Sequence, residues 1–163
     1  HGYATNNAWC NKVAGPLVSW SPVCKKSATF QHDTRDTGEM YMVYTESGHP
    51  ELSQWKYPLP GDSLSFRISR VVINVKDASM VRLNMPPDQH RSTSDDHIAG
   101  RGGTFLDVRW SKDTKHLAFV SSSREHKEAK LSVANTKTGE VRDVQKEVQK
   151  TYFESGDGFP NRH

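Results

Sequence analysis

The chain has 163 residues, of which 34% are hydrophobic, and its 22 basic and 19 acidic residues give a formal net charge of +3. This length favours a single domain, and no apolar run approaches the roughly 20 residues needed to span a membrane. Basic residues are scattered among acidic ones and form no stripe, so no nucleic-acid partner is expected.

Short strand patterns separated by turn signals follow one another along the chain. In the first half they cover residues 17–20, 27–32, 40–44, 68–75 and 80–83. In the second half they cover residues 105–110, 115–121, 130–134 and 140–144. Only residues 124–129 and 143–150 have weak helical patterns. Short strands at this spacing predict an all-β sandwich, barrel or propeller.

An internal repeat favours the propeller among these folds. Residues 20–30 match residues 110–120 at a constant offset, and residues 70–83 resemble residues 130–143. Each unit has a Trp at the end of an inner strand, where it can pack between sheets. Short polar side chains that favour a hairpin follow the Trp. We predict a fragment of a β-propeller that spans residues 1–163, with about two four-stranded antiparallel blades plus edges.

The two predicted blades differ by an insertion. The first blade covers about residues 17–85 and the second about residues 106–144, where Trp110 and Phe119 should pack against a neighbouring sheet. Residues 33–66 have no counterpart in the second blade, so we predict an excursion with residues 40–44 as an added strand. The Tyr-Pro-Leu-Pro segment at 57–60 should lie outside any central strand, because Pro lacks the backbone donor.

No residue is predicted to be catalytic. A hydrolase nucleophile needs Gly-x-Ser-x-Gly on a sharp strand-to-helix turn, and the nearest approach, around Ser63, lacks the second glycine. We interpret it as a loop that enters a strand. His32 and Asp33 could face the interior of a propeller and meet substrate, but as strand-end residues they favour a structural role.

No cofactor or metal is expected either. The glycine-rich residues 99–104 precede a strand, whereas a phosphate site needs a helix N-terminus. His49, His90 and the Asp95-Asp96-His97 segment lack a spacing that fixes metal geometry. Cys10 and Cys24 could pair on number alone, but packing residues or free thiols are the favoured interpretation.

Several motifs resemble those of a known family. They are the Trp-Ser-Pro hairpin at residues 20–22, and the segments at residues 28–33, 38–43, 48–50 and 55–62, the last reading Trp-Lys-Tyr-Pro-Leu-Pro-Gly-Asp. They resemble the propeller of dipeptidyl peptidase IV-like serine peptidases of the prolyl oligopeptidase family, particularly the bacterial type. The resemblance continues at residues 85–88, 107–111 and 152–156 and covers nearly the whole chain.

The resemblance implies a multi-bladed propeller that caps a separate α/β-hydrolase domain, which carries a Ser-Asp-His triad and is absent from this chain. It also implies a short-peptide substrate for the parent enzyme and an exported location, periplasmic or extracellular. Family members carry paired glutamates before the first Trp-Ser-Pro, whereas residues 3–9 here contain no carboxylate. No substrate-binding residue is therefore transferred.

Three hypotheses about the role of this chain follow from its sequence. The favoured one is a non-catalytic, substrate-gating segment of such a peptidase. The alternative is a stand-alone propeller scaffold that binds a protein partner and has no enzyme activity. Val23, Cys24 and Ser27 depart from the family hairpin, which keeps a non-functional gene fragment as a third hypothesis.

Overall fold

The computed structural model describes residues 17–46, 48–90, 98 and 105–152, and these form eleven β-strands. The strands are β1 (Ser19–Trp20), β2 (Lys26–Asp33), β3 (Glu39–Tyr44), β4 (Glu51–Lys56), β5 (Phe66–Asn74), β6 (Met80–Arg82), β7 (Asp88–His90), β8 (Val108–Trp110), β9 (His116–Ser122), β10 (Glu128–Asn135) and β11 (Val141–Val148). All pairings are antiparallel.

The first sheet has the order β1-β2-β5-β6, and β7 also pairs with β5. β6 pairs with residues 71–73 of β5 and β7 with residues 66–68, so the fourth strand of this sheet is built in two pieces. Pro86 and Pro87 lie between the pieces and cannot donate to the ladder. The break therefore follows from the local sequence.

The second sheet is a simple meander of order β11-β10-β9-β8. It confirms the predicted four-stranded antiparallel sheet in this half of the chain and continues to Val148. The two facing sheets form a partial β-propeller. Blade bounds at about 17–85 and 106–144 stay a prediction.

The same polar turn joins strands at three places. Each turn begins at a serine, namely Ser21, Ser111 or Ser123. The serine carbonyl accepts the backbone N–H of the third residue after it, and the serine N–H donates to the carbonyl of the fifth. The hydroxyl oxygen of each serine also accepts the backbone N–H five residues later, at 3.0, 3.0 and 3.2 Å. Short polar side chains that bond back to the backbone thus make these hairpins. The turns at Ser21 and Ser111 were predicted, and the one at Ser123 was not.

The excursion forms a separate two-stranded sheet of β3 and β4. β2 and β5 pair directly with each other on either side of it, so the intervening residues loop out of the first sheet. Residues 57–60 lie in no strand. The predicted excursion and its added strand are confirmed.

Both helical patterns were wrong. Residues 143–148 belong to β11 and residues 128–129 to β10, while residues 124–127 form a turn. The valines at 141, 144 and 148 have nearly helical spacing, but β11 is an exposed edge strand whose conformation is set by pairing with β10. β4 and β7 were not predicted: β4 is the second strand of the β3–β4 hairpin, and β7 depends on pairing with β5, about 20 residues earlier in the chain.

The core lies between the two sheets. Phe30 and Ile68 from the first sheet pack with Leu117 and Phe119 from the second, and all four are at most 1% exposed. Trp110 packs against this core, as predicted for it and for Phe119. Burial of such large side chains on both facing surfaces is what holds one sheet on the other.

Candidate functional site

A charged side chain occupies the apolar face of β5. Arg70 lies between Ile68 and Val72 on the face that packs on the second sheet, and its side chain is 3% exposed. Strand alternation places residues 68, 70 and 72 on one face. This alternation places Arg70 in the joint, by which we mean the packed interface between the two sheets.

Two carboxylates meet this guanidinium. Arg70 Nη2 donates to Asp107 Oδ2 at 2.5 Å and to the Val120 carbonyl at 3.0 Å, and Nε donates to Asp88 Oδ2 at 3.3 Å. Asp88 Oδ1 accepts the Ser121 hydroxyl at 2.6 Å. Arg70 Cζ also lies 4.7 Å from the centroid of the Phe119 ring, within cation–π range. Arg70, Asp88 and Asp107 are called the joint cluster below.

The joint cluster has perturbed electrostatics. Burial raises the pKa of the Asp107 carboxyl, Arg70 opposes this effect, and the nearby Asp88 adds to it. Burial lowers the pKa of the Arg70 guanidinium, but the attraction of the two carboxylates more than offsets this, so the pKa lies above its usual value. The Arg70 guanidinium is therefore positively charged. It can neutralise only one of the two carboxylates that it contacts.

A cleft of about 610 Å³ opens beside the cluster. Residues 84–89 line one side, and residues 121–125 with parts of β10 and β11 line the other. Polar contacts link several residues of its walls. Glu128 contacts Lys130 at 3.1 Å and the neighbouring Lys146 at 2.8 Å, and Ser132 donates to Asp143 at 2.8 Å. The cleft walls are thus stabilised by their own polar contacts.

Arg124 joins the excursion to the second sheet. Its guanidinium donates from Nη2 to the Leu59 carbonyl at 3.0 Å and from Nη1 to the Asp62 carbonyl. The Asp62 carboxylate accepts the Leu59 N–H at 2.8 Å, which closes the Leu-Pro-Gly-Asp turn. The polar loop at 121–127 therefore has a specific structural partner.

His32 and Asp33 take part in packing and ion pairs at the end of β2. The His32 ring stacks on His90, with centroids 5.4 Å apart, and contacts Phe66 at 5.3 Å. Asp33 binds Arg35 at 2.8 Å and Arg67 at 3.5 Å. Hydrogen bonds from Arg35 are the main cause that holds the pKa of Asp33 well below its usual value.

The other sequence candidates are dispersed. Ser63 lies in an exposed loop just before β5, in agreement with its interpretation as a loop residue, and His49 lies at the exposed β3–β4 turn. Cys24 is an exposed free thiol. Cys10, Asp95, Asp96, His97, residues 99–104 and residues 3–9 lie outside the described residues.

Sequence reasoning missed Arg70, Asp88, Asp107 and Arg124. A signal for Arg70 was present, because an arginine at the buried register of a β-branched strand requires a partner. Its partners could not be found that way, since Asp88 and Asp107 lie 18 and 37 residues further along the chain. Across the described residues, no helix is long and apolar enough to cross a membrane.

The comparisons with known proteins identify the family of this fold. A family model described as the dipeptidyl peptidase IV (DPP IV) N-terminal region matches residues 14–161. The chain belongs to the DPP IV N-terminal region family. The match extends over both sheets and the excursion, as the Trp-Ser-Pro and Trp-Lys-Tyr-Pro motifs led us to expect.

Two solved structures share the fold of this DPP IV N-terminal region. A protein assigned as a dipeptidyl aminopeptidase IV from Bacteroides ovatus ATCC 8483 has 21% identity and a TM-score of 0.64 over 87% of this chain. Porphyromonas gingivalis dipeptidyl peptidase 4 has 21% identity and a TM-score of 0.63 over 83% of it. The chain spans only 18% of each of those proteins. No curated protein sequence matches the chain significantly.

Proposed function

We propose that this chain is a non-catalytic part of the propeller of a dipeptidyl peptidase IV-like serine peptidase. In this role the propeller restricts access to a remote active site, so that short peptides enter and folded proteins do not. The observation that carries the proposal is the family match over residues 14–161, on two facing sheets that share a repeat. The serine, histidine and acid needed for acyl transfer come from an α/β-hydrolase domain outside this chain.

The exposure of two equivalent tryptophans supports a position between further blades. Trp110 is half-buried, and its Nε1 donates to Ser19 of the first sheet, 3.3 Å from the carbonyl and 3.2 Å from the hydroxyl. Trp20 occupies the matching position of the first sheet, yet its side chain is 58% exposed. By analogy with Trp110, we expect Trp20 to pack against another blade of the complete propeller.

The test compares the 163-residue chain with the complete protein that carries it. We expect the complete protein to hydrolyse chromogenic prolyl or alanyl dipeptides, and the chain alone to give no turnover above a matched blank. Short peptides should be cleaved and a folded protein of the same N-terminal sequence should not. Turnover by the chain alone, or equal cleavage of the folded protein, would overturn the proposal.

Export is part of the same proposal. We expect the complete protein outside the cytoplasm, periplasmic or extracellular, because the family resemblance implies it. Cell fractionation with a cytoplasmic marker enzyme tests this, and co-fractionation with that marker contradicts it.

A second candidate is a scaffold that binds a protein partner. The β3–β4 sheet favours it, because Tyr41, Val43 and Leu52 are 56%, 57% and 65% exposed. A coding sequence that continues into a hydrolase region with Gly-x-Ser-x-Gly would exclude a stand-alone scaffold. An isolated propeller that captures a protein and hydrolyses no dipeptide would support it instead of the peptidase.

A further inference from the structure

The joint cluster buries more negative than positive charge. Its one guanidinium and two carboxylates have side chains that are 3% (Arg70), 12% (Asp88) and 9% (Asp107) exposed. Such a set is costly to keep fully ionised in a low-dielectric interior, because the two carboxylates share one buried guanidinium. The excess charge can be removed by taking up one proton.

Asp107 has an oxygen free to receive that proton. Its Oδ2 accepts Arg70 Nη2, whereas its buried Oδ1 has no hydrogen-bond partner among the described residues. A proton from solvent that binds Oδ1 leaves the contact between Oδ2 and Arg70 in place. Asp88 differs, because its Oδ1 accepts the Ser121 hydroxyl and its Oδ2 accepts Arg70 Nε.

The charges that act on Asp107 come from two strands. β5 contributes Arg70 and β7 contributes Asp88. Lys130 of β10 interacts with Asp88, and also with Glu128 and Asp143. β9 contributes the uncharged Val120 carbonyl, the Ser121 hydroxyl and the Phe119 ring. Within the described part of the chain, the cluster therefore carries a local excess of one negative charge beside a single nearby lysine.

We propose that the joint cluster is a proton-binding site, and that a proton on Asp107 Oδ1 strengthens the packing of the two sheets. Mild acid then tightens this joint, the opposite of what surface ion pairs do. The direction of the Asp107 pKa agrees, since burial raises it. A folded-state pKa above the unfolded value makes the contribution complete below that unfolded value, and it is lost as the pH rises through the folded pKa.

The test is hydrogen exchange of peptides from β5 and β9 in the complete protein that carries residues 1–163, between pH 4 and pH 8. Wild type is compared with Asp107→Asn at each pH, so that intrinsic exchange cancels. Glu46→Gln, an exposed residue of equal charge, is the matched control. We expect the protection ratio of wild type to Asp107→Asn to fall by about threefold or more as the pH rises, and the control ratio to stay constant.

A second variant keeps the result interpretable. Asp88→Asn leaves one carboxylate for one guanidinium, so the ratio of wild type to this variant should fall with pH in the same direction. The proposal is overturned if both protection ratios fall by less than about threefold between pH 4 and pH 8, or if both rise. Failure of both variants to fold also overturns it, because a carboxyl that already binds a proton should tolerate its amide isostere. No peptidase activity enters this measurement, so its outcome is independent of the proposed function.

Discussion

Cys24 and Thr114 occupy the same position of two hairpins and share an unusual backbone. Their φ angles are 53° and 60°, and their N–H groups close the turns on Ser21 and Ser111 at 2.8 and 3.0 Å. This left-handed region is strained for L-residues and worst for β-branched ones. Both hairpins therefore form despite a residue that opposes the turn.

Glycine at these positions is expected to stabilise the protein. Thr114→Gly should raise the free energy of unfolding by about 1 kcal/mol, and Cys24→Gly by less, because only threonine is β-branched. Urea unfolding measures both. Lys112→Gly, in the same hairpin but outside the left-handed region, is the control and should destabilise slightly. Equal destabilisation by all three glycines would contradict this account.

Gly139 allows a close approach between the β10–β11 turn and the end of β6. Its φ is +79°, its carbonyl accepts the Asn84 N–H at 2.8 Å, and an added Cβ would lie 2.5 Å from the Arg82 carbonyl oxygen. That oxygen belongs to backbone, so the contact can be relieved only by separating the turn from β6.

Gly139→Ala should therefore destabilise more than its backbone angle alone predicts. Gly48→Ala is a matched control, because its φ is +83° and nothing lies within 4 Å of the added Cβ. We expect the control to cost about 1 kcal/mol of unfolding free energy and Gly139→Ala at least about 1 kcal/mol more. Equal losses in thermal or urea unfolding would show that the sheets do not need this close contact.

At the scale of elements, Arg124 of the β9–β10 turn ties the Leu-Pro-Gly-Asp turn of the excursion to the second sheet. The Leu59 and Asp62 carbonyls accept from Arg124, so removal of the guanidinium leaves two carbonyls without these donors. The Tyr57 N–H also donates to the Gly38 carbonyl at 2.9 Å, which anchors the start of the turn. The turn is thus fixed both to its own excursion and to the second sheet.

Arg124→Gln should loosen this turn locally. A hydrogen bond from a charged donor contributes about 1.5 kcal/mol or more, so local opening should increase about tenfold. Limited chymotrypsin cleavage after Trp55 and Leu64 measures this opening, because the bonds after Tyr57 and Leu59 precede proline and resist the protease. Arg142→Gln, an arginine of β11, serves as the control and should leave cleavage unchanged. Unchanged cleavage in both variants would mean that the turn holds without Arg124.

At the scale of the whole molecule, the two sheets leave apolar surface and strand edges open. Val120 and Leu131 are paired neighbours on the second sheet and are 39% and 38% exposed, and Trp20 is open on the first sheet. Propeller blades normally bury such faces against their neighbours, and about three repeats are needed for stability. Open edges also favour aggregation.

The isolated 163-residue chain should therefore be marginally soluble. We expect self-association in size-exclusion chromatography and no cooperative transition above about 45 °C, the lower end of the mesophile range. A monodisperse monomer with one cooperative transition well above that temperature would contradict this prediction. The complete protein, purified in parallel, should be monodisperse.

The sequence by itself determined the features that depend on local chemistry. Strand propensity, the serine turns after Trp20 and Trp110, and the prolines of residues 57–60 each act over a few residues, and their repetition predicted two sheets with an excursion. The family motifs were equally local. These features could be predicted because their causes lie within a single hairpin.

Only the tertiary structure decided the features that depend on distant partners. Residues 143–148 have a helical pattern but form an edge strand, because pairing with β10 supplies their backbone hydrogen bonds. Arg70 meets Asp107 only after the second sheet packs on the first. Burial by that packing makes their charges interact strongly, since the same groups apart in water would scarcely interact.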